Sequence, residues 1–237
     1  MSVDPYVNTW LGGDHTSVRD FVSMARQCCA PHRLYFFAEA YGWRPVKGLP
    51  PNVRGPVPAE YRQNVVQAIG CGIKGLSSWV CSASGSGWAS DLPEARALRD
   101  EIVKVNRLIS HIEDSLPIGT PVDLARSDAG LVPAGRIGAE IWKKERVWAG
   151  CLLCGPDTLV IAAANHIRAS RLEPPTIEPA RDVTVTVTLP DFLREVEAFE
   201  ATEDGLAPFS ACRVDEGQAY LKIDSIESGR IFILRRR

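Results

Sequence analysis

The chain has little of what marks several protein classes. No stretch approaches the roughly 18 consecutive apolar residues of a membrane span, and Ser2 to Leu11 has neither the basic start nor the apolar run of a secretory signal. Charge of one sign is missing too, since 27 Lys and Arg face 29 Asp and Glu for a formal net charge of -2. A cut after Leu116 leaves 12 basic and 11 acidic residues before it and 15 and 18 after it, so neither half hides a bias. Without a basic field nothing pulls the chain onto nucleic acid or anionic lipid, and the Arg235, Arg236, Arg237 end reads as solvated.

Seven cysteines, an odd number spread over a long chain, make no disulfide framework. Cys151 and Cys154 would need a second ligand pair for zinc. His166 and Cys212 stand at unsuitable spacing, and Trp148, Leu152 and Leu153 read as a buried strand around the pair. Gly85-Ser86-Gly87 lacks the Lys and the helix start of a phosphate cradle. The sequence thus implies neither metal nor cofactor.

What is present is a globular composition, 45% hydrophobic and 24% charged over 237 residues, enough for a sizeable core and two domains. The first half alternates apolar runs with amphipathic helices, the pattern of parallel strands joined by helical crossovers. Thr16 or Asp14 can cap a helix carrying Val18, Phe21, Val22, Ala25, Cys28 and Cys29, which Pro31 stops. Leu34 to Ala38 reads as a strand buried on both faces. A Pro/Gly-rich loop leads to a helix from Pro58 with Tyr61, Val65, Ala68 and Ile69 along one face. Ile73 to Val80 reads as another buried strand, and Leu98, Ile102, Val105, Ile109, Ile112 and Leu116 predict a long helix. After Pro121 the period falls to two, most plainly in the Val183 to Thr188 alternation of Val and Thr. Short strands separated by Gly-containing turns predict an antiparallel sandwich. The fold class is therefore α/β plus all-β, with domains at 1–116 and 121–237.

Three segments carry a family resemblance. Ser2-Val3-Asp4-Pro5-Tyr6 is similar to the end of the sixth strand of (β/α)8-barrel glycoside hydrolases. Leu34 to Trp43 resembles the seventh strand, and Ala68 to Trp79, with its Gly70-Cys71-Gly72 turn, resembles the helix and eighth strand. The resemblance implies the last three strands of a barrel followed by a β-sandwich accessory domain, and it places Met1 inside the sixth strand, as in a C-terminal fragment.

Glycosidic bonds are typically cleaved by two carboxyl groups, one protonating the leaving oxygen and one attacking the anomeric carbon or activating water. Barrels of this kind hold these groups at C-terminal strand ends. The resemblance places Glu39 at the nucleophile position of the seventh strand and Trp79 at the sugar platform of the eighth. Asp4, Tyr6 and Trp43 are the further substrate-binding candidates. In such barrels the peptide before Trp79, Ser78-Trp79, is sometimes cis. The general acid normally comes from the fourth strand, which lies outside this chain, so the implied partners are carbohydrate and a missing N-terminal barrel half.

Other readings of the same residues remain. Glu39 can instead pair with Arg44 or Arg62, Trp43 and Trp79 can be core residues, and Asp4 can fix a loop. Two further roles for the whole chain follow: sugar binding without hydrolysis, or a structural module that completes its barrel with another polypeptide.

Overall fold

The computed structural model describes residues 1–5, 15–40, 54–79, 87–137, 140–167 and 174–237. Its first part is βαβαβ: β1 (Ser2–Val3), α1 (Ser17–Cys29), β2 (Tyr35–Glu39), α2 (Pro58–Gly70) and β3 (Gly75–Trp79), then α3 (Pro93–Ser110). The three strands form one parallel sheet in the order β1-β2-β3. Leu34, Phe36 and Ala38 point to the helices and join their core. The opposite face is less covered than the apolar run predicts, with Tyr35 44% exposed and Phe37 half-buried. Tyr35 lies over Gly75, its register partner, where a Cβ would stand 2.3 Å from the ring.

Three local expectations are corrected. Thr16 occupies the cap position of α1 without a side-chain cap bond, because its hydroxyl instead accepts a hydrogen bond from Lys144. The long helix ends at Ser110, not Leu116. Tight turns take over, with Ser115 N–H bonding the Ile112 carbonyl and Gly119 N–H the Ser115 carbonyl, and Ile112 and Leu116 stay buried through them. The Ser78-Trp79 peptide is trans; the cis bond among the described residues is Ala30-Pro31.

The second part is antiparallel: β4 (Thr120–Val122), β5 (Ala125–Ser127), β6 (Leu131–Ile137), β7 (Glu140–Glu145), β8 (Val147–Cys154), β9 (Thr158–Asn165), β10 (Ala180–Thr188), β11 (Val196–Ala201), β12 (Leu206–Pro208), β13 (Cys212–Asp215), β14 (Gln218–Ile226) and β15 (Gly229–Arg236). One sheet runs β12-β11-β15-β9-β8-β4 and another β13-β14-β10-β5, with β6-β7 a separate hairpin. Val183, Val185 and Val187 turn into a core shared by the two larger sheets while the intervening threonines face out, the period-2 placement the sequence predicts. Cys151 faces this core and Cys154 the opposite one, so strand alternation keeps the two thiols from sharing a ligand.

The six-stranded sheet is buried on both sides. Leu159, Ile161 and Ala163 of β9 face the four-stranded sheet, and Val160, Ala162 and Ala164 face α2. Small residues let α2 come close: Gly70 sits against Trp148 and Ala162, and Val66 against Gly229. In consequence α2 is buried almost all round, including Glu60, Gln63, Asn64 and Gln67, where its sequence predicts a single apolar face. One hydrophobic core runs from Val18 to Ile233, across the 116–121 junction.

Candidate functional site

Parallel strands put their C-terminal ends on one side, and here those ends carry Asp4, Glu39 and Trp79. Glu39 and Trp79 are direct register partners on β2 and β3, and the Ala40 N–H bonds the Trp79 carbonyl just beyond them. Alternation sends both side chains to the face away from the helices, because Ala38 packs in the helical core and the Ser78 hydroxyl bonds Tyr61 of α2. Glu39 is 1% exposed and Trp79 47% exposed, so a buried carboxyl group stands beside an open indole. Val3 pairs with Phe36, which sets Asp4 level with Phe37 on the same face. At normal strand spacing its Cα lies about 8 Å from that of Glu39. Asp4 is exposed.

Tyr6 and Trp43 lie outside the described residues, as does Arg44. Arg62, the other suggested partner for Glu39, is committed elsewhere: it pairs with Glu101 and lies 3.7 Å from Glu203.

A polar cluster that the motifs did not single out lies at the same end. Arg54 grips Glu60 with two bonds of 2.5 and 2.6 Å, Val57 N–H donates to the same carboxylate at 2.9 Å, and His15 Nε2 stands 3.1 Å from it. His15 Nδ1 is 2.7 Å from Asn64 Oδ1. All four side chains are buried. Burial works against the Glu60 charge, but the bonds from Arg54 and His15 outweigh it and bring its pKa down to about 2. Because His15 precedes α1 and Arg54 precedes α2, the cluster ties the connection after β1 to the connection after β2. The readable signal was Glu60 in the first turn of a helix that Pro58 opens, where an acidic side chain is favoured. Burial of His15 and Asn64 was not readable, since both residue types are usually exposed or half-exposed.

The chemistry available at the sheet end is that of a carboxyl group beside an aromatic surface. Indoles stack on apolar faces of ring-shaped ligands, and a carboxyl group can accept hydrogen bonds, move a proton or attack an electrophilic carbon.

No known protein family's sequence pattern matches the chain, and no curated protein matches it. Solved structures that it resembles include glycoside hydrolases. An α-amylase from Geobacillus thermoleovorans, complexed with acarbose, is 15% identical with a TM-score of 0.50, over 94% of this chain and 47% of that one. A maltogenic α-amylase from Thermotoga neapolitana is 12% identical with a TM-score of 0.45, over 100% of this chain and 51% of that one. A family 5 glycoside hydrolase from Bacteroides vulgatus is 14% identical with a TM-score of 0.46, over 94% and 45%. The chain thus spans about half the length of these structures, and at 15% identity the likeness to the Geobacillus α-amylase is one of fold alone.

Proposed function

We propose that the chain acts on carbohydrate as the C-terminal part of a glycoside hydrolase-like (β/α)8 barrel and is inactive in hydrolysis by itself. The observation that carries this is the pairing of Glu39 with Trp79 on one face at the C-terminal end of parallel strands. Glu39 serves as the reacting carboxylate, Trp79 stacks on a sugar ring, and Asp4 lies within reach of the same ligand. Tyr6 and Trp43 join the sugar contacts by their sequence positions just after β1 and β2.

The absence of turnover follows from counting carboxyl groups. Hydrolysis needs a pair about 5 to 5.5 Å apart for retention or about 6.5 to 9.5 Å apart for inversion. Among the described residues Asp4 is the other carboxylate on this face, and its exposure suits a binding role better than that of a proton donor with a raised pKa. The uncovered face around Tyr35 also leaves open the side from which a closed barrel excludes water. The same facts favour, as the second reading, a site that binds sugar without cleaving it.

The test is hydrolysis and binding of a panel of aryl glycosides by the 237-residue chain. Binding without turnover is expected, lost in Trp79→Ala and kept in Glu39→Gln. Turnover that survives Glu39→Gln would remove Glu39 from its role, and turnover lost in that variant would show that the chain is sufficient as an enzyme.

A further inference from the structure

Ser78, the residue before Trp79, is held by two aromatic side chains from different elements. Its hydroxyl shares a 2.8 Å hydrogen bond with the Tyr61 hydroxyl of α2, and its carbonyl accepts a 3.3 Å bond from Trp88 Nε1, in the segment leading to α3. Tyr61 is completely buried. A phenol there without a partner would carry the desolvation cost of an unmade hydrogen bond, so the pairing with Ser78 is favoured strongly over solvent exchange.

The strand pairing leaves that carbonyl available. The register between β2 and β3 is constant from Tyr35 with Gly75 to Glu39 with Trp79, and the Ala40 N–H continues it by bonding the Trp79 carbonyl. Parallel alternation then turns the Ser78 carbonyl away from β2, where the Trp88 indole donates to it. Reorienting Ser78 and Trp79 would therefore disturb three bonds, those with Tyr61, Trp88 and Ala40.

We propose that Tyr61 and Trp88 are positioning residues for Trp79, holding Ser78 so that the next side chain stands beside Glu39 as a preformed sugar-stacking surface. The inference rests on the reading of Trp79 as the sugar platform. Neither side chain touches the sugar. Their contribution is to remove the ordering that a mobile indole would undergo on binding.

The experiment uses the full chain labelled with 5-fluorotryptophan, with the Trp79 resonance assigned through Trp79→Phe. The probes are p-nitrophenyl glucosides, galactosides, mannosides and xylosides of both anomeric forms. Sugar is expected to move the Trp79 resonance in the parent. Tyr61→Phe and Trp88→Phe should each shift or broaden that resonance in the free protein and weaken binding about three- to tenfold, the effect of losing one hydrogen bond. Ser78→Ala should match Tyr61→Phe, the double variant should be no worse than either, and Ser78→Thr, which keeps the hydroxyl, should restore binding. Melting followed in parallel separates this from general destabilisation, and Trp88→Phe carries the test alone if Tyr61→Phe melts early. A parent that binds sugar with Tyr61→Phe and Trp88→Phe unchanged in resonance and midpoint would overturn the positioning role only. A parent whose Trp79 resonance ignores every sugar would overturn the platform reading and this inference with it.

Discussion

Arg54 and Glu60 form a two-pronged ion pair with almost no exposure to water, Arg54 being 3% and Glu60 0% exposed. The pair lies at the end of the sheet where Glu39 and Trp79 stand, because Arg54 and Glu60 both belong to the route from β2 into α2.

Acid should undo this arrangement in a defined window. The folded-state pKa of Glu60, about 2, lies below its ordinary value of 4.5, so its contribution to stability is complete above about pH 4.5 and is lost as pH falls towards 2. The contribution is on the order of 3 kcal/mol. Urea midpoints measured from pH 7 to pH 2 should fall over that interval, and Glu60→Gln should flatten the fall. An unchanged acid limb in Glu60→Gln would contradict the assignment.

Removing the cation alone should be worse than removing the acid's charge. Arg54→Met leaves a buried carboxylate short of two bonds and is expected to cost about 3 to 5 kcal/mol at neutral pH. Chemical denaturation of the two single variants ranks them directly.

Gly70→Ala should destabilise, against the usual preference for alanine in helices. The new Cβ would stand 2.7 Å from the Trp148 ring and 2.8 Å from the Ala162 Cβ. Overpacking of that kind costs about 1 to 3 kcal/mol. A lowered melting temperature is the expected result; a raised one would mean that α2 does not press on the sheet as described.

Thiol chemistry should divide the cysteines by depth. Burial pushes the pKa of Cys151 up to about 12 and those of Cys71 and Cys154 up to about 11, whereas Cys28 is exposed. Iodoacetamide at pH 8, mapped by mass spectrometry, should label Cys28 in the native protein and these three only after unfolding.

The uncovered face of the parallel sheet should make the chain associate, since parallel sheets are normally covered on both sides. Sedimentation is expected to show oligomers that dissociate on dilution, and Tyr35→Lys, which puts charge on that face, should shift the balance towards monomer. A parent that stays monomeric at high concentration would count against the open-barrel reading.

Much of this was legible in the residues. The Val and Thr alternation from Val183 and the helical repeat from Leu98 each carry a period that suits one kind of element, and the short apolar run from Leu34 between two helical patterns suits a strand; each element formed. The pairing of Glu39 with Trp79 was reachable because parallel strands joined by crossover helices align their ends. Less legible was anything set by packing between distant segments. The polar residues of α2 look solvent-facing in sequence, yet Gln63, Asn64 and Gln67 are buried because helices and strands close on that helix from several sides. The hairpin of β6 and β7 is not legible because Pro133 and Gly135 interrupt the strand pattern of β6 and the adjacent Lys143 and Lys144 break the alternation of β7.

The close seat of α2 on β9 and β15 has an implication for how this chain can be rebuilt. Val66 meets Gly229 five residues along the helix from Tyr61, so the strands at the far end of the sequence help set the height and tilt of the helix that steadies Trp79. Exchanging the C-terminal half for a sandwich from another source would need a glycine and a pair of alanines at the matching points. Without them the graft would lift the helix and slacken the strand ends that carry Glu39 and Trp79. The two halves are thus better treated as one heritable part than as interchangeable modules.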